Sequence, residues 1–145
     1  ALVRAGQSGV EIDLIIRGAC MLPAQRPGVT DNIRVRSIIG RFLEHSRVFY
    51  FRTGTEETVY LSSADWMNRN MLRRVELAWP VDDPVLRQRV VDECLVAYLH
   101  DNVDAWVLNS DGHYTRAVVA KSRSSKPRVA HGAQAALMDL YASKV

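Results

Sequence analysis

Short segments rich in β-branched and aromatic residues recur along the chain and alternate with segments that favour helices. Each short segment predicts a β-strand, and together they cover 10–18, 47–51, 59–63, 75–81, 105–109 and 113–119. Asp83 followed by Pro84 predicts the start of a helix, because Asp caps a first turn and Pro fits the first helical position. Strands that alternate with helices indicate an α/β domain with a mixed sheet flanked by helices.

The intervals between these strands carry turn, loop and helix signals. RTGTEET at 52–58 predicts a hairpin turn between the strands on either side of it. At 33–42, apolar residues first alternate with Arg, so we expect an edge strand followed by a short helix. The other intervals predict the last turns of a helix, a loop, a polar basic connector, a flexible basic segment and a C-terminal helix, at 1–9, 19–32, 64–74, 121–128 and 131–145.

Length and composition indicate one globular domain over 1–145. The chain has 145 residues, of which 48% are hydrophobic and 24% are charged, so it can build a buried core. A net charge of +3 is too small to identify an anionic partner by itself. Cys20 and Cys94 lie far apart without a Cys-x-x-Cys motif, which indicates thiols in a reducing compartment.

The sequence also indicates the cellular location of the protein and whether the chain is part of a longer protein. It shows no secretory leader and no apolar run near the roughly 20 residues that a membrane-spanning helix needs. We therefore expect a cytoplasmic protein, with membrane association as the alternative. The chain opens inside a helix-like segment without a preceding Met or N-cap residue, so we expect a piece of a longer protein.

Residues suited to binding phosphate gather at the ends of the predicted strands. Arg17 lies at the end of the first strand, and His45 with Arg47 forms a His-x-Arg pair at the start of another. Arg makes bidentate, permanently charged contacts with phosphate oxygens, and His can move a proton near neutral pH. Further donors and charges lie at the end of the partner strand and just beyond it, chiefly Ser63, Asp65 and Arg73. Together these residues predict a phosphate-binding site.

Each of these residues also has a structural explanation. Arg17 could be an ordinary surface charge at a strand end, and Asp65 could cap the turn that follows it. Arg73 or Arg74 could form an ion pair with Glu76, which we expect for at least one of them. The sequence alone leaves these alternatives open.

The pairing of motifs on neighbouring strands resembles a known arrangement. His45-x-Arg47 followed by Ser62-Ser63-x-Asp65 resembles the His-x-Lys and Gly-Ser-x-Asn motifs of the phospholipase D superfamily. The replacement of Lys by Arg and of Asn by Asp argues against an ordinary phosphodiesterase.

Longer strings resemble one family more specifically. IDLIIRGACML, DNIRVRSIIGRFLEHSRVFYF and VYLSSADWMNRNMLRRVELAWPV are similar to the C-terminal domain of bacterial polyphosphate kinase, over about residues 9–117. Leu61-Ser62 stands where the family often has Ile-Gly, and the sequence after Arg116 fits the family pattern poorly. The resemblance implies a phospholipase D-like fold, in which this chain is the second of two such domains. It also implies that the first such domain and the N-terminal domains lie outside this chain.

The resemblance further implies an enzyme that reversibly transfers the γ-phosphoryl group of ATP to polyphosphate through a phosphohistidine in the first domain. His45 would be the catalytic residue of this chain, and Arg17 with His45 would contact the nucleotide phosphates. Arg47, Ser63, Asp65 and Arg73 are weaker candidates for phosphate contacts. Mg²⁺ is implied as a cofactor, with ligands outside this chain, and ATP, ADP and polyphosphate as substrates.

The resemblance also bears on partners and on activity in isolation. It implies association with the remaining domains of the same polypeptide and a homo-oligomeric full-length protein. Without the nucleophilic His, this chain alone should be inactive.

Two other functions stay open at this point. A phospholipase D-like phosphodiesterase would use His45 as its nucleophile in a symmetric dimer. A noncatalytic module that binds phosphate or nucleic acid would use exposed basic residues, namely Arg69, Arg73, Arg74 and those in 121–128. A glycine-rich phosphate loop is absent from the sequence, so nucleotide binding through such a loop is not predicted.

Overall fold

The computed structural model describes residues 1–117 and 129–143, and the predicted basic segment at 121–128 lies outside them. The elements in chain order are α1 (Leu2–Gln7), β1 (Ile12–Ile15), β2 (Ile33–Ile38), β3 (Val48–Thr53), β4 (Glu56–Ser62), α2 (Asn68–Arg73), β5 (Ala78–Pro80), α3 (Pro84–Val91), a π-helical segment (Asp92–Val96), α4 (Ala97–Leu99), β6 (Ala105–Leu108), β7 (Tyr114–Arg116) and α5 (Ala133–Ala142).

The chain divides into two compact units. One consists of Ala1–Glu44 with Tyr98–Val145, and the other of His45–Ala97. The assignment of all of 1–145 to one domain stays a prediction. In the described part of the chain, every helix falls short of the length and apolar character that crossing a bilayer requires.

The first unit contains a four-stranded sheet in the order β1-β2-β6-β7. β1 and β2 are parallel, with Ile12 opposite Ile33, whereas β6 runs antiparallel to both of its neighbours. The prediction of a mixed sheet with helices is therefore confirmed. The prediction of an edge strand and a short helix at 33–42 is wrong, because β2 pairs on both sides and residues 39–44 form no helix.

Alternating burial along β2 builds the core of this unit. Ile33 and Val35 are buried while Arg34 between them is exposed, as the two-residue period of a strand requires. Full burial of such a side chain contributes about 1.5–3 kcal/mol. The other buried members of this core come from β1, from the loop between β1 and β2, and from β6, and are Ile12, Ala24 and Leu108.

The second unit contains an antiparallel sheet in the order β3-β4-β5. Val48 pairs with Leu61 at one end of the first hairpin, and Thr53 pairs with Glu56 at the other. Gly54 adopts a φ of 60° in the turn, a left-handed conformation that glycine reaches without strain. The predicted hairpin is therefore confirmed.

Helix α3 begins where the sequence indicates. Asp83 is its N-cap, and the carboxylate Oδ1 accepts hydrogen bonds from the backbone N–H groups of Val85 at 2.9 Å and Leu86 at 2.8 Å. These bonds satisfy donors that have no partner within the helix. The segment 64–74, predicted as a connector, instead contains the short helix α2.

Candidate functional site

His45 stands just ahead of β3, in the second unit, and its side chain is exposed. Nη1 of Arg47 lies 2.9 Å from the ring Nδ1, 3.3 Å from Nε2 and 2.7 Å from the carbonyl oxygen of His45. A guanidinium can only donate hydrogen bonds, so the ring accepts in the shorter contact. This arrangement fits a ring that carries its proton on Nε2.

Asp65 fixes the guanidinium from its other side. Its Oδ1 accepts from Nε of Arg47 at 3.0 Å and lies 2.8 Å from Nη2. The two side chains are 16% and 23% exposed, so this pair is less screened by water than a surface ion pair. The backbone supports the same geometry, since the carbonyl of Arg47 accepts from the N–H of Ser62 at 2.9 Å. Asp65, Arg47 and His45 thus form one continuous chain of hydrogen bonds.

Ser63 belongs to the same unit but is engaged elsewhere. Its hydroxyl donates to Oε2 of Glu76 and accepts from the backbone N–H of Leu77 at 3.0 Å. Nδ2 of the buried Asn70 donates to the other oxygen of Glu76 at 2.7 Å. The hydrogen bonds from Ser63 and Asn70 hold the pKa of Glu76 below its ordinary value. Ser63 therefore ties the end of β4 to the segment that leads into β5.

Arg73 lies in the last turn of α2 and is exposed. The ion pair expected between Glu76 and Arg73 or Arg74 is absent among the described residues, because Glu76 turns toward Ser63 and Asn70 instead. A contact between Arg73 and phosphate stays a prediction.

Arg17 lies two residues beyond β1, in the first unit, with an exposed side chain. Its Nη1 donates to the backbone carbonyl of Glu44 at 2.9 Å. Glu44 is not predicted from the sequence as part of this site, because residues that lie 27 positions apart share no local pattern. The only available signal was its place beside His45.

Two kinds of chemistry are available from these side chains. A neutral imidazole with its proton on Nε2 can donate a hydrogen bond to a phosphate oxygen. An Arg guanidinium can balance the charge of a phosphate group permanently. His45 supplies the first and Arg17 the second.

The described residues do not fit a metal centre. Within 1–117 and 129–143, His, Cys, Asp and Glu side chains do not gather in groups of three or more that could hold an ion. The implied Mg²⁺ therefore has no ligand set in this part of the chain.

Comparison with known proteins identifies the family of this chain. The family described as "Polyphosphate kinase C-terminal domain 2" matches residues 1–128. A polyphosphate kinase from Paraburkholderia phytofirmans is 56% identical over 121 residues, which cover 83% of this chain and 18% of that protein. A polyphosphate kinase from Burkholderia cenocepacia is 54% identical over 122 residues, or 84% of this chain and 18% of that protein. The chain thus spans less than a fifth of the length of these relatives.

A solved structure gives the same result for the fold. The crystal structure of polyphosphate kinase from Porphyromonas gingivalis is similar to this chain with a TM-score of 0.87 and 40% identity. The similarity covers 99% of this chain and 21% of that one. The prediction of a phospholipase D-like α/β fold is confirmed.

Proposed function

Since the chain belongs to the polyphosphate kinase family, as a C-terminal domain 2, we propose that it supplies part of a phosphotransferase site. The reaction is the reversible transfer of the γ-phosphoryl group from ATP to the end of a polyphosphate chain. The bond between phosphorus and the β–γ bridging oxygen breaks, and a bond to a His nitrogen outside this chain forms. ADP is the leaving group of that first step, and the phosphoryl group then passes from the His nitrogen to a terminal oxygen of polyphosphate.

The observation that carries this proposal is the hydrogen-bonded chain Asp65–Arg47–His45. It holds an exposed imidazole at the start of β3, with Nδ1 of the ring 2.9 Å from Nη1 of Arg47. A ring fixed in this way can stabilise charge on the departing or accepting oxygen by donating a hydrogen bond from Nε2. Phosphoryl transfer depends mainly on positioning and electrostatic stabilisation, so such a group can have a large effect on the rate.

Arg17 has a separate task in this proposal. Its exposed guanidinium, anchored on the carbonyl of Glu44, would bind nucleotide phosphates and offset their charge. A bidentate guanidinium contact with phosphate is stronger and more directional than a neutral hydrogen bond. Arg47, held by Asp65, acts through His45 rather than on phosphate directly.

The proposal also covers the substrates, the remaining domains, the cellular location and the oligomeric state. ATP, ADP and polyphosphate are the substrates, and the rest of the polypeptide supplies the nucleophilic His and the Mg²⁺ site. The full-length protein is a cytoplasmic homo-oligomer, and this chain alone is inactive.

The test compares His45→Ala with His113→Ala in the full-length polypeptide that contains this chain. Both His residues are exposed, but His113 lies in the turn between β6 and β7. We expect His45→Ala to lower the turnover of ATP-dependent polyphosphate synthesis about a hundredfold or more, the usual scale for an acid–base group. His113→Ala should match the wild type, and a near-normal turnover of His45→Ala would contradict the proposal.

The same preparations test the phosphodiesterase alternative. Cleavage of a phosphodiester by the wild type, abolished in His45→Ala, would favour a phospholipase D-like hydrolase.

A further inference from the structure

Gln134 lies in the first turn of α5, in the first unit, and is only 6% exposed. Its side-chain amide pairs with the backbone of Phe42 in both directions: Nε2 donates to the carbonyl at 2.8 Å, and Oε1 accepts from the N–H at 2.9 Å. Nε2 also donates to Oε1 of Glu44 at 2.6 Å. The amide thus commits both of its hydrogens and its oxygen to one segment, residues 40–44.

This close approach depends on the glycine at position 40. A Cβ on Gly40 would lie 2.5 Å from Oε1 of Gln134 and 2.8 Å from its Cδ. Both distances are too short for non-bonded atoms, so any other residue at this position would displace the buried amide. The position of the Gln134 amide therefore requires a glycine at position 40.

The start of α5 is itself firmly held. Asp101 is 2% exposed, and its Oδ2 accepts from the N–H of Ala133 at 2.7 Å. Its Oδ1 accepts from three backbone N–H groups at the entry to β6, those of Val103, Asp104 and Ala105. Hydrogen bonds to a buried carboxylate are stronger than neutral ones. Asp101 consequently fixes the first turn of α5, which carries Gln134, to the four-stranded sheet of the first unit.

Glu44 connects the start of α5 to Arg17. Its carboxylate accepts from Gln134, and its backbone carbonyl accepts from Nη1 of Arg17 at 2.9 Å. We infer that Gln134 is a positioning residue, which sets the place of the Arg17 guanidinium by holding residues 40–44. This inference rests on the phosphate-binding role proposed for Arg17.

The inference gives a function to a part of the chain that the family match does not reach. The match ends at residue 128, whereas Gln134 lies six residues further on. A displacement of about 1 Å in a group that orients a substrate can lower a rate about a hundredfold. On this inference, helix α5 affects catalysis through residues 40–44 and Arg17.

The experiment measures kcat and KM for ATP in the full-length polypeptide, with Gln134→Leu as the test variant. Leu keeps a similar size but removes all three hydrogen bonds. Leu137→Ala is the control, because it weakens the same helix at a half-buried position and leaves Gln134 in place. We expect kcat/KM to fall about tenfold or more for Gln134→Leu, mainly through KM, and to change less than about twofold for the control.

A double-mutant cycle between Gln134 and Arg17 shows whether Gln134→Leu acts by displacing Arg17 or by a general loss of structure. In an Arg17→Ala background, we expect Gln134→Leu to have an additional effect of less than about twofold on kcat/KM, because residues that act through one another are not additive. An equal effect in both backgrounds would overturn the inference. If Gln134→Leu does not fold, Glu44→Ala serves in the same cycle, since it removes one acceptor and leaves the carbonyl.

The outcomes also separate this inference from the proposed function. If Arg17→Ala raises KM and Gln134→Leu does not, the inference fails while the role of Arg17 stands. If Arg17→Ala leaves KM unchanged, the proposed role fails and the inference fails with it. Amide exchange over residues 40–44 provides a readout independent of activity, and exchange that is no faster in Gln134→Leu than in the wild type would also overturn the inference.

Discussion

Nη1 of Arg47 lies 2.9 Å from Nδ1 of His45, while Nε of the same guanidinium donates to Asp65 at 3.0 Å. The planar guanidinium thereby joins a carboxylate on one side to an imidazole on the other. A Lys ammonium is a compact charge and cannot present this fork. The difference from the His-x-Lys motif of phospholipase D therefore has a physical consequence, since Asp65 fixes His45 through Arg47.

The first prediction concerns Arg47→Lys in the full-length polypeptide. The ammonium can reach Asp65 or His45 but cannot bridge them in the same plane, so the ring loses its fixed orientation. We expect kcat to fall about tenfold or more, with a smaller change in KM for ATP. Arg52→Lys, an exposed substitution on β3, is the matched control and should leave kcat unchanged. A loss no greater than that of the control would show that the bridge is unimportant.

The second prediction concerns the start of α3. Asp83→Ala removes the acceptor for two backbone N–H groups, those of Val85 and Leu86. Loss of an N-cap costs about 1 kcal/mol, so amide exchange in the peptide that covers α3 should be roughly fivefold faster. Asp82→Ala, one residue earlier, serves as the control in the same mass-spectrometric experiment. Identical exchange in the two variants would contradict the assigned cap.

The third prediction concerns acid stability. Arg34 donates to both carboxylate oxygens of Asp13, at 2.7 and 3.0 Å, and this hydrogen bonding lowers the pKa of Asp13. A carboxyl group whose folded pKa lies below its unfolded value stabilises the fold fully above the unfolded pKa, near 4. That contribution is lost as the pH falls through the folded pKa.

Melting temperatures measured between pH 6 and pH 3 test whether the pKa of Asp13 is lowered in the folded protein. Asp13→Asn should melt below the wild type at the upper end of this range, and the difference should shrink toward the lower end. Asp82→Asn provides the control, since Asp82 is exposed near the start of α3. A difference for Asp13→Asn that grows with acidity would refute the assigned direction.

The elements that the sequence predicts well are those with local causes. Asp83 and Pro84 determine the start of α3 through contacts within one turn, and Gly54 provides a conformation that the hairpin needs. The interior place of β2 has no such local cause, because it depends on pairing with β1 on one side and β6 on the other. Alternation along β2 indicates which residues are buried but not how many neighbours the strand has.

The residues of the candidate site also differ in whether local sequence predicts their contacts. His45, Arg47 and Asp65 could be grouped from the sequence, because two strands joined by a tight turn bring their open ends together. Gln134 and Glu44 are 90 residues apart, and nothing in the sequence near either one indicates the other. Only the packing of α5 in the first unit reveals that contact.

The central claim is that this chain supplies a phosphate contact, and calorimetric titration tests it most directly. The full-length polypeptide is titrated with ATP and with polyphosphate, alongside Arg17→Ala and the control Arg26→Ala, another exposed Arg of the first unit. Loss of a charge-assisted contact of about 1.5–3 kcal/mol predicts ATP binding weaker by roughly tenfold or more in Arg17→Ala alone. Equal affinities for the wild type and Arg17→Ala would contradict the account.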